Sequence, residues 1–307
     1  MSTDILQKKW APILEHADLP KITDSHKRAT IAQMLENQEQ AIRESQSGGY
    51  SEQTSLLEAP TNAMGASANS NPKLLDQYIK KILSANVYDV AIESPLHIAP
   101  FLSERLGNNI WVKREDKQPV YSFKIRGAYN KVVQLTDKEK AAGVVAASAG
   151  NHAQGLALAA KELGIKATIV MPLTTPEIKV KSCKARGAKV VLHGDTFDEA
   201  FAYSQKLVEE KGYTYIHPYD DPEVIAGQGT IGMEILRQLN DPIDAIFVPV
   251  GGGGIIAGIA AYVKFLRPEI KIIGVEPELG NKLQGLKNMT EKIVTAIYDE
   301  EKLDEKI

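Results

Sequence analysis

The chain has 307 residues, 43% of them hydrophobic, and its 36 Lys and Arg against 39 Asp and Glu leave a formal charge of −3. So even a balance gives no electrostatic footprint for nucleic acid or an anionic membrane surface, and the length buries a substantial core, so a soluble globular enzyme of one large or two modest domains is expected. The single cysteine, Cys183, excludes an internal disulfide framework and suits a reducing, cytoplasmic compartment; with lysines but no histidine beside it, it reads as a small buried residue rather than a nucleophile.

At the N-terminus the charges of Asp4, Lys8 and Lys9 and the lack of a long apolar core argue against a secretory signal. Residues 24–43 carry Ile31, Met34, Leu35 and Ile42 at helical spacing, and residues 45–71, rich in Ser, Gly, Asn, Gln and Ala, read as a flexible linker. Residues 1–72 are therefore expected to be a flexible or helical extension.

From Pro72 onward short apolar strands alternate with helical stretches. Strands are expected at residues 110–113, 144–147, 167–171, 189–192, 213–216, 246–250 and 270–275, and helices at 122–135, 153–163, 178–185, 197–211 and through 255–263. Repeated β-α units imply an α/β fold, a mostly parallel sheet with helices on both faces. The uncharged span 245–263 is long enough to raise the question of a membrane helix, but Pro249 and four glycines in its middle divide it into strand, loop and helix.

Three segments carry chemistry. Tyr121-Ser-Phe-Lys-Ile-Arg-Gly-Ala-Tyr129 sets Lys124 among small and aromatic residues. A lysine amine forms a Schiff base with an aldehyde cofactor when its surroundings lower its pKa enough to keep part of it neutral, and pyridoxal phosphate is the natural candidate. Ser148-Ala-Gly-Asn-His-Ala-Gln-Gly155 is a polar loop running into a helix; its plainer reading is an N-cap by Ser or Asn. The apolar run 245–250 feeds Gly251, Gly252, Gly253 and Gly254 and then an apolar helix, so backbone N–H groups at a helix N-terminus are free to hold a phosphate.

The glycine run has a competing reading. Gly252, Gly254 and Ala257 satisfy G-x-G-x-x-A after a strand, and Glu276 ends the next strand at a distance suited to a ribose, the pattern of an NAD-binding oxidoreductase. That reading leaves the Lys124 segment unexplained. Lys113, Arg114, Glu115 and Asp116 are expected to form a solvated face or an ion-pair network, and Arg126 reads as a surface charge. His152, His193 and His217 are too scattered for zinc, so no metal site is expected.

Over residues 73–276 the strings SFKIRGAY, SAGNHAQG, TIVMP, VIAGQGT and VPVGGGG follow one another as they do in the catalytic domain of threonine ammonia-lyase, or threonine dehydratase, which the chain resembles. That family belongs to the β-family, or fold type II, of pyridoxal-phosphate enzymes. The resemblance implies a tryptophan synthase β-like fold of two parallel-sheet domains, with residues 73–124 and 231–277 in a large cofactor domain and 125–230 in a small one. It implies that Lys124 carries the cofactor and then removes the Cα proton of L-threonine; the β-hydroxyl leaves, and the enamine hydrolyses to 2-oxobutanoate and ammonia, a step of isoleucine biosynthesis. Phe123 would pack near the pyridine ring, Asn151 would meet the ring hydroxyl, Gly251, Gly252, Gly253 and Gly254 would hold the phosphate, and Ser148, Gly150, Asn151 and His152 would lie near the substrate carboxylate. Close relatives dehydrate or racemise serine, which stands as the alternative activity, and the family assembles as dimers or tetramers.

The two ends depart from this pattern. Residues 1–72, with KKWAPILEHADLPKITDSHKRATIAQMLENQEQ and LLEAPTNAMG, resemble the N-terminal region of the major capsid protein of contractile-tailed bacteriophages, which implies a propeptide cut after Glu58. The deaminase resemblance fades after Glu276. Residues 278–307 are an unassigned tail without the Pro-Ser-Gly motif that meets the pyridine nitrogen in the family, so the large domain is expected to be truncated, and an inactive fused or truncated protein is the non-enzymatic alternative.

Overall fold

The computed structural model describes residues 72–275 and 305–306. The expected N-terminal helix, the linker, the capsid-like segment with Glu58, Glu276 and most of the 278–307 tail lie outside the described residues. Among those described, no helix is long and apolar enough to cross a membrane, and no group of three or more His, Cys, Asp or Glu residues is placed to hold a metal.

α1 (Pro72–Leu83) is followed by an antiparallel pair, β1 (Leu96–Ile98) and β2 (Trp111–Lys113), joined through α2 (Pro100–Leu106). α3 (Lys124–Val133) and α4 (Asp137–Ala142) lead into the first parallel sheet. α4 starts at a capping box in which Thr136 accepts from the Glu139 amide while the Glu139 carboxylate takes the Thr136 amide, so two otherwise orphaned donors are satisfied.

The first sheet contains β3 (Val144–Ala147), β4 (Ala167–Met171), β5 (Lys189–Leu192) and β6 (Thr214–Tyr215), all parallel in the order β5-β4-β3-β6. β3 and β4 are buried at every residue, which is why they read as unbroken apolar runs. α5 (Asn151–Glu162) and α6 (Glu177–Ala185) cover one face through a core that includes Leu156, Ile169, Met171 and Cys183. On the other face α7 (Phe197–Lys211) packs Ala200 and Leu207 against Val145 and Val170. Its own capping box, Thr196 with Glu199, and Gly212 at φ 68° mark its two ends.

The second sheet takes β7 (Ala245–Pro249), β8 (Lys271–Val275) and β9 (Glu305–Lys306), again parallel, with α9 (Gly254–Leu266) crossing from β7 to β8. α8 (Pro222–Gln238) enters behind Asp221, whose carboxylate accepts from the amides of Glu223 and Val224 at 2.8 and 3.2 Å, with Pro222 at the first helical position. Ile231 and Ile235 of α8 join Val248, Ile256, Ile259 and Ile272 in the core beneath this sheet. α1 seals the far side of α8 and α9 with Ile79, Ile82 and Leu83 against Ala226, Met233 and Tyr262. α3 packs on both α5 and α8, and so ties the two sheets together.

The expected strands and the helix at 197–211 are present. α1, β1, α2, α4 and α8 add elements that the strand and helix pattern did not mark, and the expected domain border at 230/231 lies inside α8.

Candidate active site

Parallel strands end together, and in open α/β sheets the crevice outside those ends is where ligands bind. Three connections meet there: the loop 148–150 between β3 and α5, the segment 216–221 between β6 and α8, and the glycine run 251–253 between β7 and α9. Lys124 is the first residue of α3.

The Lys124 amine donates to the Pro218 carbonyl at 2.5 Å, and its nitrogen lies 5.4 Å from the Phe123 ring centre and 5.9 Å from that of Tyr219. Desolvation lowers its pKa from 10.5 to about 8, so near that pH half of it is the nucleophilic free amine. The Tyr219 ring also covers the glycine run: a Cβ built on Gly252 would stand 2.2 Å from Tyr219 Cγ, and one on Gly254 would stand 2.7 Å from the Tyr219 carbonyl oxygen. Only glycine tolerates that approach. Lysine and glycine run, 127 positions apart in sequence from Lys124 to Gly251 (251 − 124), thus meet on one tyrosine.

Gly253, at φ 88°, caps α9, and no acidic residue occupies the first turn. The amides of that turn have no acceptor within the helix and form the positive end of its dipole, a ready anion site.

The polar loop is joined to the same place. A Cβ on Gly155 would come within 3.2 Å of the Lys124 carbonyl and the Ile125 nitrogen, so α5 lies directly on the backbone that carries the lysine. Gly150 caps α5 with no side-chain hydrogen bond, and Ser148 Oγ accepts from the Gly150 amide at 3.3 Å; the expected alternative of capping by Ser148 or Asn151 is not what forms. Asn151 is exposed at the first position of α5.

His152 is buried, with Nε2 2.8 Å from the Ile216 carbonyl. A carbonyl only accepts, so Nε2 carries the proton and Nδ1 is a bare lone pair, without a partner among the described residues. Burial, then the nearby Lys124 charge, pushes its pKa down to about 3 and keeps the ring neutral. Phe123 is half-buried against the core beneath the second sheet as well as beside the Lys124 amine, so core packing and site contact coincide.

Arg126 corrects its sequence reading. Far from being a surface charge, it is fully buried, forked onto Glu115 at 2.8 Å and Glu234 at 2.6 Å. Lys113 joins Glu234 at 2.5 Å, and only Arg114 and Asp116 of the charged run form an exposed pair. Cys183 is buried, its thiol pushed up to about 11 by desolvation. Pro218 and Tyr219 belong to none of the three chemical segments of the sequence; their position just past the end of an expected parallel strand is the signal that points to them.

A partly neutral lysine and an anion-ready helix start, both against Tyr219, suit a cofactor with an aldehyde at one end and a phosphate at the other. Residues 87–302 match the family described as pyridoxal-phosphate dependent enzymes. The chain belongs to that family. Its fold is the α/β fold type II arrangement, and pyridoxal phosphate is the family's cofactor. The NAD-binding reading gives way here, although β7, α9 and β8 do form a parallel β-α-β unit, which is why spacing alone admitted both.

The chain is 63% identical over 207 residues to threonine dehydratase 1 biosynthetic, chloroplastic, of Solanum lycopersicum, covering 67% of this chain and 34% of that protein. It is 57% identical over 204 residues to the biosynthetic L-threonine dehydratase of Burkholderia multivorans, covering 66% of this chain and 40% of the relative. Among solved structures, the processed form of threonine deaminase isoform 2 from Solanum lycopersicum aligns with a TM-score of 0.65 at 58% identity, over 67% of this chain and 56% of that one. Maize serine racemase aligns with a TM-score of 0.63 at 35% identity, over 66% of this chain and 61% of the other. The chain spans roughly a third to two fifths of the length of the curated relatives it matches.

Proposed function

We propose that the protein deaminates L-threonine to 2-oxobutanoate and ammonia, a step of isoleucine biosynthesis, with pyridoxal phosphate held on Lys124. The observation that carries this reading is the convergence of a desolvated lysine and a glycine-capped helix N-terminus on Tyr219. Relatives named as threonine dehydratases, 57% and 63% identical, support it.

When bound, pyridoxal phosphate supplies a conjugated ring that accepts the electron pair left on Cα as its proton departs. The chain's own residues do the rest. The amides of Gly251, Gly252, Gly253 and Gly254 would hold the phosphate, and Phe123 would pack beside the ring. Asn151, exposed at the start of α5, would meet the ring hydroxyl. The first-turn donors of α5, with Ser148 and Gly150, hold the substrate carboxylate; His152 contributes its amide, because its ring is engaged by Ile216. Lys124, with a pKa of about 8, is basic enough to take the Cα proton and neutral often enough to do so. Loss of the β-hydroxyl as water leaves an enamine, and addition of water releases ammonia, so the atoms balance as threonine to 2-oxobutanoate plus ammonia.

The same reading divides the chain into a large cofactor domain, residues 73–124 and 231–277, and a small domain, 125–230, one around each parallel sheet. It places the protein in the cytoplasm as a homo-oligomer. Likeness to maize serine racemase supports a second activity, dehydration or racemisation of serine.

Purified chain given pyridoxal phosphate and L-threonine tests the proposal: 2-oxobutanoate should accumulate, and Lys124→Ala should abolish it. Accumulation by the Lys124→Ala protein would remove the assigned base, and D-serine from L-serine without 2-oxobutanoate would favour the racemase.

A further inference from the structure

α3 begins without the usual means of fixing a helix end. Its N-cap, Phe123, is itself in helical conformation and makes no side-chain capping bond, and Ser122 Oγ reaches the Lys124 amide only at 3.3 Å. Yet the residue that opens this helix is the one whose amine must be placed to a fraction of an ångström. Close packing supplies part of the constraint. Gly155 of α5 lies against the Lys124 backbone, and Gly227 of α8 approaches the other side, where a Cβ would stand 2.7 Å from the Arg126 carbonyl oxygen. Packing between two neighbours sets the depth of a helix; it leaves rotation about the axis and sliding along it to be fixed by something else.

At the first turn Arg126 supplies both. Its guanidinium donates through Nε and Nη2 to the two oxygens of Glu115, each at 2.8 Å, and through Nη1 and Nη2 to those of Glu234 at 2.6 and 3.0 Å. Thr230 Oγ1 at 3.1 Å and the Ile92 carbonyl at 3.3 Å complete its contacts. Two bidentate forks in different directions leave a planar group no freedom to turn. The carboxylates are themselves held: Ser94 donates to Glu115 at 2.5 Å, Tyr88 to Glu234 at 2.8 Å, and Lys113 pairs with Glu234. With two cations against two carboxylates the cluster is neutral. Buried clusters of this kind add little stability over apolar packing, so the gain is in geometry.

Residues two apart on a helix point about 200° from one another, onto opposite faces. Pinning Arg126 on the side of Glu115 and α8 therefore turns Lys124 toward the crevice. We propose that Arg126 is a positioning residue for Lys124: its double fork fixes the rotation and register of the first turn of α3 and so aims the amine at Pro218 and the glycine run. This inference rests on Lys124 being the cofactor amine.

Full-length protein is incubated with graded pyridoxal phosphate, reduced with borohydride, and the labelled lysines quantified by peptide mass spectrometry. Arg126→Lys keeps the charge and loses the fork; half-labelling of Lys124 should need about tenfold more pyridoxal phosphate, since small displacements of a reacting group carry factors of that order. Asn130→Ala is the control, a buried residue of the same helix bonded to the Asn86 amide and the Glu223 carbonyl, away from the lysine turn. It should lower the unfolding temperature while labelling of Lys124 stays within about twofold of wild type. Wild-type labelling in a folded Arg126→Lys protein, or equal losses in both variants in step with their unfolding temperatures, overturns the proposal. Should Arg126→Lys not fold, Glu115→Gln keeps the Glu234 fork and should raise the half-labelling concentration by about threefold; an unchanged value again overturns it. Absence of label on Lys124 in the wild type overturns the functional reading itself, and this inference with it, whereas label on the wild type and an unaffected Arg126→Lys protein overturns this inference alone.

Discussion

Lys124 and His152 donate to carbonyls two residues apart in one short segment: the lysine amine to Pro218 at 2.5 Å and the imidazole Nε2 to Ile216 at 2.8 Å. The segment 216–219 therefore coordinates the amine, the polar loop and, through Tyr219, the glycine run. The constellation is assembled from residues far apart in the chain by the ends of parallel strands, and its behaviour can be tested piece by piece.

The first test is pH. Neutral Lys124 is the reactive form, so its modification by pyridoxal phosphate should rise through about pH 8 and then level off, where an unperturbed lysine would continue rising toward 10.5. Stability carries the same signature. Between pH 8 and 10.5 the unfolded chain binds the Lys124 proton and the folded chain does not, so the Lys124 contribution to unfolding free energy should climb with pH across that window, against a fall contributed by buried tyrosines such as Tyr78 and Tyr215, whose pKa is pushed up to about 12. Lys124→Met should remove the climb and stabilise the protein at pH 7 by roughly 1 kcal/mol or more, because a desolvated cation is no longer buried. Denaturant titrations at pH 7 and pH 10 measure both.

At Gly252 the constraint is steric. Gly252→Ala places a Cβ 2.2 Å from Tyr219 Cγ, so the ring must move, and a loss of about 1–3 kcal/mol is expected together with weaker cofactor uptake. Tyr219→Ala in the same chain should restore much of the stability. A double-mutant cycle in thermal unfolding, with additive losses as the contrary outcome, decides whether that contact is the cause.

His152 should act without titrating. Its pKa of about 3 keeps it neutral above pH 5, so the turnover profile should show no inflection from it between pH 5 and 7. His152→Ala orphans the Ile216 carbonyl and should cost about 1–3 kcal/mol, and His152→Gln, which can still donate, should cost less. Paired pH profiles and melting curves of the two variants check this.

Much of this architecture is legible in the sequence where a local rule acts alone. Residues 144–147, 167–171 and 189–192 form strands at the expected positions because unbroken apolar runs suit parallel strands. α7 fills 197–211 between the Thr196 capping box and Gly212. α8 was hidden because Gly227, Gly229, Thr230 and Gly232 are poor helix formers, and tertiary packing of close-approaching backbones outweighs that propensity. Arg126 was hidden for a different reason: its charge suggests the surface, and only folding brings it to Glu234, 108 residues away. The same holds for Pro218, which meets Lys124 across 94 residues. Lys124, the polar loop and the glycine run stood out because their composition is chemically unusual, whereas the carbonyls that hold them are anonymous in any sequence.

The most direct measurement is reduction of the purified chain with borohydride in the presence of pyridoxal phosphate, followed by peptide mapping. One pyridoxyl group per chain, carried on Lys124 and lost in the Lys124→Ala protein, is the predicted result. Label spread over exposed lysines such as Lys181 and Lys206, with Lys124 left unmodified, would contradict the account.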